Sequence, residues 1–180
     1  HSFPTRRSSD LFRFFARVLG EQGFSWSVAK ATDPSAAAAA IRPNTKLVWL
    51  ETPSNPLLRV ADMKALAAIA HAAGARFVVD NTFATPYLQR PLDFGADVVL
   101  HSTTKYLGGH SDVVGGGLVT RDPELHDRLR FLPRPVRALA LHLERHGGQR
   151  AVAPHRVQVA RHQDALAALR ADPRHQIVAE

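Results

Sequence analysis

Three short apolar runs, each followed by polar or hydroxyl-bearing residues, constrain the fold of this chain more than any other feature. They are KLVWLE at residues 46–51, RFVVD at 76–80 and ADVVLH at 96–101. Runs of this length with several β-branched residues are typical of strands that are buried on both faces. A helical segment separates the first run from the second, which gives the β-α-β pattern of a parallel sheet. We therefore predict an α/β fold with a mostly parallel sheet and helices on both faces.

Further elements surround these three strands. Asp33 followed by Pro34 is a helix start signal, and Gly74 is a typical residue for the end of a helix. Apolar residues with helical or strand periodicity then set the remaining elements. We predict helices over residues 11–19, 33–41, 61–73 and 122–132, and two more strands over 24–28 and 117–120.

Length and composition limit the class of protein. A chain of 180 residues with 45% hydrophobic content buries one sizeable core, so we expect one domain or part of one. Its apolar runs are too short to cross a bilayer, and no charged-apolar-small signal peptide opens the sequence. We therefore expect a cytoplasmic protein without a membrane partner. The absence of cysteine excludes disulfides, thiolate catalysis and cysteine zinc sites.

The net charge of +7 makes nucleic-acid binding one function to consider. The charge is concentrated at one end, because residues 133–180 contain eight arginines and four acidic residues and so carry +4. The other 132 residues carry +3. The core domain is therefore only mildly basic, and we expect no nucleic-acid partner.

Residues 101–117 (HSTTKYLGGHSDVVGGG) form the stretch with the most distinctive chemistry. They follow a predicted strand and contain Lys105, one of four lysines in a chain that otherwise takes its positive charge from arginine. An amine can lose its proton, whereas a guanidinium does not. Most lysines are solvated side chains without a chemical role, so Lys105 becomes a candidate only through its neighbours.

Hydroxyl side chains and glycines surround Lys105. Ser102, Thr103 and Thr104 offer hydroxyls and backbone N–H groups, and five glycines between 108 and 117 allow close approach of the backbone. A loop of this kind can hold a phosphate beside the amine. A phosphate next to a reactive lysine points to pyridoxal phosphate (PLP), which lysine carries as a Schiff base.

Three motifs in this order resemble one known family. ETPSNPL, VVDNTFATPYLQRPLDFGAD and HSTTKYLGGHSDVVGG are similar to segments of the Cys/Met-metabolism (trans-sulfuration) PLP-dependent enzymes. That family includes cystathionine γ-synthase, cystathionine γ- and β-lyases and methionine γ-lyase. The likeness runs from about residue 11 to residue 132. It implies that the chain is part of the large PLP-binding domain of fold-type I, the aspartate aminotransferase-like fold.

The resemblance implies a set of cofactor-binding residues. Lys105 is implied to be both the lysine that binds the cofactor and the catalytic base. Ser102 and Thr104 are implied to contact the phosphate. Thr82 is implied to lie beside the ring, Asp80 beside its nitrogen and Asn55 near its phenolic oxygen. Tyr106, His110 and Asp112 match the motif too, and we assign them structural roles. No metal site is expected.

Four of these roles have a simpler alternative in turn formation. Asp80 follows a buried strand, where a charge is disfavoured unless a cation lies beside it, and a pyridinium nitrogen is such a cation. An aspartate before Asn81 and Thr82 is also a good turn former. Asn55, Ser102 and Thr104 lie at strand exits as well, where turn chemistry is common and does not exclude cofactor contacts.

The implied activity is γ-replacement or γ-elimination on sulfur amino acids or activated homoserine, of the cystathionine γ-synthase or γ-lyase type. Cystathionine β-lyase and methionine γ-lyase are alternatives within the family. The implied partner is a small amino-acid substrate, and for the full-length family a homo-oligomer, a dimer or tetramer, is expected.

Composition divides the chain into three parts. Residues 1–10 have no periodicity and are interpreted as a non-native or disordered leader. Residues 11–132 are the partial PLP-binding domain. Residues 133–180 are a divergent tail, rich in arginine and histidine, of the kind that a frameshift in GC-rich DNA produces. We expect a fragment truncated at both ends that is inactive alone.

Of two rival functions, the first is set aside and the second stays open. Ser102 and Lys105 fit the S-x-x-K motif of serine β-lactamases, but the S-D-N and K-T-G motifs that must follow are absent. A basic nucleic-acid-binding domain is the alternative from another class. It predicts binding that weakens steeply with salt and survives Lys105→Ala.

Overall fold

The computed structural model describes Phe15, Leu19, Gly20 and residues 23–130, together with the backbone of three later strands. The predicted leader, most of the predicted helix at 11–19 and most of the tail lie outside the described residues. Four helices and eight strands are described. The strands are β1 Ser25–Val28, β2 Thr45–Glu51, β3 Arg76–Asp80, β4 Val98–Ser102, β5 Gly116–Thr120, β6 Leu139–His146, β7 Gln149–Val152 and β8 Gln176–Ala179; the helices are α1 Pro34–Ala40, α2 Met63–Ala72, α3 Thr85–Leu88 and α4 Pro123–Arg130.

The strands form one sheet in the order β1-β8-β2-β3-β4-β5-β6-β7. Two neighbouring pairs, β4 with β5 and β6 with β7, are antiparallel, and the other pairs are parallel. The predicted α/β fold with a mostly parallel sheet is therefore confirmed. β5 runs against β4 because the chain returns through a glycine-rich loop, whereas a parallel connection needs a crossover, usually helical.

Side chains from the central strands alternate between two apolar layers. Trp49, Val78 and Leu100 lie on one face and pack with Leu125 and Leu129 of α4. Leu50, Phe77, Val79 and Val99 lie on the other face and pack with Leu66, Ala67 and Ala70 of α2. Both faces of these central strands are covered, which is why they appear in the sequence as unbroken apolar runs.

Side-chain caps set the starts of α1 and α2. Asp33 accepts hydrogen bonds from the backbone N–H groups of Ser35 and Ala36, and Asp62 accepts one from Ala65. The observed helices α1 and α2 lie within the predicted ranges 33–41 and 61–73. β4 begins at Val98 rather than at the predicted residue 96, because Ala96 N–H donates to the carbonyl of Pro91 instead of to the sheet.

Three adjacent parallel strands place the candidate residues at one edge. Glu51 of β2 pairs with Asp80 of β3, and Asp80 pairs with Leu100 of β4. Since the carboxyl ends of parallel strands meet at the same edge, the segments that follow these three strands lie together. All six predicted site residues lie at or directly beyond these strand ends.

Candidate active site

Asp80 is the last residue of β3 and is only 7% exposed. Its Oδ1 accepts a hydrogen bond of 3.0 Å from the backbone N–H of Thr82. The turn role considered for Asp80 is thus present. It does not exclude a role toward a cofactor, because a carboxylate can accept several hydrogen bonds at once.

Thr82 connects the exit of β3 to the exit of β4. Its Oγ1 accepts a hydrogen bond of 2.7 Å from the backbone N–H of Ser102. A hydroxyl that accepts still carries a proton that it can donate. Asp80, Thr82 and Ser102 are therefore joined by hydrogen bonds into one group.

Lys105 lies in a single wide helical turn, Thr103–Leu107, directly after β4. Gly108 N–H donates to the carbonyl of Thr103 at 2.8 Å, and Gly109 N–H donates to that of Lys105 at 2.8 Å. Lys105 itself leaves the helical conformation, with φ −88° and ψ −124°. The residue is exposed. Wide turns of this kind occur frequently at functional sites, and this one carries the candidate amine.

Thr104 holds the glycine-rich loop. Its hydroxyl accepts a hydrogen bond of 2.8 Å from Gly115 N–H and lies 3.3 Å from the carbonyl oxygen of the same residue. The backbone N–H of Thr103 donates to this carbonyl as well, at 2.9 Å. The structure therefore gives Thr104 the turn chemistry considered above, at the position where the resemblance implies a phosphate contact.

Asn55 lies in the loop that follows β2, and it is exposed. Two buried hydroxyls fix the base of this loop. Ala61 N–H donates to Thr52 Oγ1 at 3.1 Å, and Arg59 N–H donates to Ser54 Oγ at 3.2 Å. The structure brings Asn55 to the same sheet edge as the other candidates, and its contact with a cofactor stays a prediction.

The three remaining residues of the motif lie on the exposed part of the loop. The ring of Tyr106 packs edge-to-face against Phe83, with a centroid distance of 6.1 Å. His110 Nδ1 lies 3.1 Å from the carbonyl oxygen of Gly108, which is a hydrogen-bonding contact within the loop. Asp112 is exposed. The structural roles expected for these three residues stay predictions.

Sequence reasoning missed two features of this edge. One is a pair of amide residues: Gln89 Nε2 donates to Asn81 Oδ1 at 2.8 Å, and Asn81 Nδ2 donates to the backbone carbonyl of Gln89 at 2.9 Å. The other is His101, which is 5% exposed and whose Nδ1 has no hydrogen-bond partner among the residues that the structure describes. A polar residue directly beside a candidate carboxylate, as Asn81 is, was the available signal.

Burial governs the protonation of His101. Removal from water lowers the pKa of its imidazole, because burial disfavours the charged form. The carboxylate of Asp80 opposes this and raises the pKa in part. His101 therefore favours the neutral form in the folded chain, close enough to Asp80 to sense its charge.

The groups at this edge fit pyridoxal phosphate. A buried carboxylate suits a protonated pyridine nitrogen, hydroxyls and a glycine-rich backbone suit a phosphate, and an exposed lysine suits the aldehyde. Asp80, Ser102 and Lys105 supply one group of each kind. Within the residues that the structure describes, no cluster of three or more histidine, aspartate or glutamate side chains could hold a metal ion.

Comparison with known families decides the class of protein. The family model described as "Cys/Met metabolism PLP-dependent enzyme" matches residues 9–161. The chain belongs to this family. The resemblance stated from the three motifs is confirmed, and with it the dependence of the family on pyridoxal phosphate.

Curated relatives and solved structures agree with the family model. The chain is 53% identical over 128 residues to a probable cystathionine gamma-synthase of Herpetosiphon aurantiacus, and 50% identical over 121 residues to a cystathionine gamma-lyase of Bacillus subtilis (strain 168). These matches cover 71% and 67% of this chain. The crystal structure of cystathionine gamma synthase from Xanthomonas oryzae pv. oryzae in complex with cystathionine superposes with a TM-score of 0.62 at 54% identity, over 65% of this chain and 30% of that one.

The relatives are longer than this chain. It spans 40% of the Herpetosiphon protein and 32% of the Bacillus protein. In the part that the structure describes, no helix has the length and apolar character of a membrane span.

Proposed function

We propose that this chain is the cofactor-binding part of a trans-sulfuration enzyme that acts on sulfur amino acids or activated homoserine. The reaction is γ-replacement or γ-elimination, as in a cystathionine γ-synthase or γ-lyase. One observation supports this most. Ser102, which is joined by hydrogen bonds through Thr82 to Asp80, directly precedes the turn that carries Lys105.

Each residue of the site has a chemical task in this proposal. When bound, pyridoxal phosphate supplies an electron sink for charge that develops at the α carbon of an amino acid. Asp80 holds a proton on the pyridine nitrogen. Lys105 binds the cofactor covalently and, once released, moves protons at the α and β carbons of the substrate.

Four further contacts complete the site. Ser102 and Thr104 hold the phosphate, Thr82 lies beside the ring, and Asn55 lies near the phenolic oxygen. The relatives reported above include both a synthase and a lyase, so either activity fits. Cystathionine β-lyase and methionine γ-lyase remain alternatives.

Covalent labelling tests the assignment of Lys105. The purified 180-residue chain is mixed with pyridoxal phosphate and reduced with borohydride, and the modified lysine is located by peptide mass. We expect the label on Lys105, its loss in Lys105→Ala and its retention in Lys46→Ala, a control at an exposed lysine in β2. Labelling that is absent, or that spreads evenly over the lysines, would contradict the proposal.

The assembly and location of the protein are also proposals. We infer from the family resemblance that the full-length protein forms dimers or tetramers and acts in the cytoplasm. Light scattering after size-exclusion chromatography measures the first, and a monomer at high concentration would argue against it. Fractionation of the source cells measures the second.

A further inference from the structure

Asn81 is a fully buried polar residue between two site residues, Asp80 and Thr82. Its backbone N–H donates to the carbonyl of Leu100 in β4 at 2.9 Å, and its carbonyl accepts from Thr85 N–H at 2.9 Å. Its side-chain Nδ2 donates to the backbone carbonyl of Gln89 at 2.9 Å. Because Asn81 is held at both its backbone and its side chain, it fixes the directions in which the side chains of Asp80 and Thr82 point.

Gln89 extends this arrangement to a third segment. Its Nε2 donates to Asn81 Oδ1 at 2.8 Å and to the backbone carbonyl of Thr52 at 2.8 Å. Thr52 is also buried, and its hydroxyl closes the base of the loop that carries Asn55. One amide group thus connects the exit of β2 with the exit of β3.

We propose that Asn81 and Gln89 are positioning residues for the cofactor site, which orient the Asp80 carboxylate and the Asn55 loop toward the same ligand. This inference rests on the proposed function. Neither amide needs to touch the cofactor, because both act through neighbours. The pair is suited to this task since each amide both donates and accepts, and a buried partner left without its hydrogen bond is costly.

Gln89→Met is the direct test, because methionine has a similar length and no donor. Its half-buried position makes the exchange compatible with folding. The variant loses both hydrogen bonds of the Gln89 amide group, to Asn81 and to Thr52. We expect the dissociation constant for pyridoxal phosphate, measured from visible absorbance, to rise about tenfold, which corresponds to about 1.4 kcal/mol of binding free energy. Deuterium exchange at Ala61 N–H in the cofactor-free chain should also become faster.

Arg121→Met is the matched control. Arg121 donates to the carbonyl of Leu92 at 2.8 Å and pairs with Asp93, at the opposite edge of the sheet, and its side chain is 39% exposed. This variant also loses a donor to a backbone carbonyl. It should lower the melting temperature without changing the affinity for pyridoxal phosphate.

A double-mutant cycle separates positioning from a general loss of stability. If Gln89 acts through Asp80, then Gln89→Met weakens binding much less in an Asp80→Asn background than in the wild type. Additive effects, or an unchanged affinity in Gln89→Met, would overturn the positioning inference alone. Absence of a Lys105 adduct in the wild type would instead overturn the proposed function and this inference with it.

Discussion

At the residue scale, Asp80 combines a structural bond with a proposed electrostatic role, and one substitution separates the two. Asp80→Asn keeps an oxygen that can accept from Thr82 N–H but removes the charge. We expect the melting temperature to change little. The affinity for pyridoxal phosphate should fall about ten- to a hundredfold, the range given by a hydrogen bond to a charged group. An absorbance titration measures it, and wild-type affinity in Asp80→Asn would disprove the pyridinium role.

His101 gives a prediction for stability against pH. Burial lowers the pKa of its imidazole in the folded chain below the ordinary value of 6.5, so the unfolded chain binds a proton first as the pH falls. The contribution of His101 to the free energy of unfolding is therefore complete above pH 6.5 and is lost as the pH falls toward the folded-state pKa.

His101→Gln should make the free energy of unfolding less dependent on pH below 6.5, since the group that titrates is gone. Urea unfolding across a series of pH values measures this. His110→Gln, at an exposed histidine, controls for the loss of a histidine elsewhere. If the free energy of unfolding depended on pH equally in the wild type and in His101→Gln, the burial of His101 would not contribute to the pH dependence of stability.

The common location of Asp80 and Ser102 at one edge of the sheet could be predicted from the sequence, because local patterns indicate where strands end. The sequence did not reveal the role of Gln89, whose partner Thr52 lies 37 positions away in the chain. Nor did it reveal that His101 is buried with a ring nitrogen that has no hydrogen-bond partner in the described part of the chain. Such features depend on contacts between elements, and periodicity carries no information about them.

At the element scale, the wide turn that carries Lys105 depends on Gly108. A Cβ atom at this position would lie 2.5 Å from the carbonyl oxygen of Thr103, the acceptor that closes the turn. Gly108→Ala must therefore open the turn and move Lys105. We expect borohydride labelling of Lys105 to fall strongly, as measured by peptide mass.

Gly74→Ala is the control for this prediction. Gly74 has a φ of +68° with nothing near its absent side chain, so alanine there costs roughly 1–2 kcal/mol of backbone strain without a clash. It lies after α2, away from the predicted site. Labelling that is retained in Gly108→Ala, or lost equally in Gly74→Ala, would show that the turn does not position the lysine.

The turn itself was not predicted, although the residues in it were. Glycine spacing and the lysine indicate a loop, but the bond from Gly108 back to Thr103 depends on the path of the backbone. The direction of β5 was likewise not specified. Alternation of apolar residues predicts that a strand exists, whereas its partner and orientation follow from the loop before it.

At the scale of the whole molecule, the candidate site lies at the carboxyl ends of the central strands, and charged groups stabilise the opposite edge, at the amino ends of β3 and β4. Asp97 precedes β4. Its carboxylate accepts from Phe77 N–H at 2.7 Å, from Arg76 at 3.2 Å and contacts His71 at 3.0 Å. Its side chain is 17% exposed, while Arg76 is 45% exposed, so the bond to Phe77 contributes more than the ion pair.

Asp97→Asn keeps an acceptor but loses its charge, so the free energy of unfolding should fall by about 1–2 kcal/mol. Urea denaturation measures this change. The affinity for pyridoxal phosphate should remain at the wild-type value, because the sheet between the two edges is a packed core on both faces. If Asp97→Asn weakened cofactor binding as much as Gln89→Met does, the edges would be coupled. The effect of Gln89→Met would then not be evidence that Asn81 and Gln89 position the site.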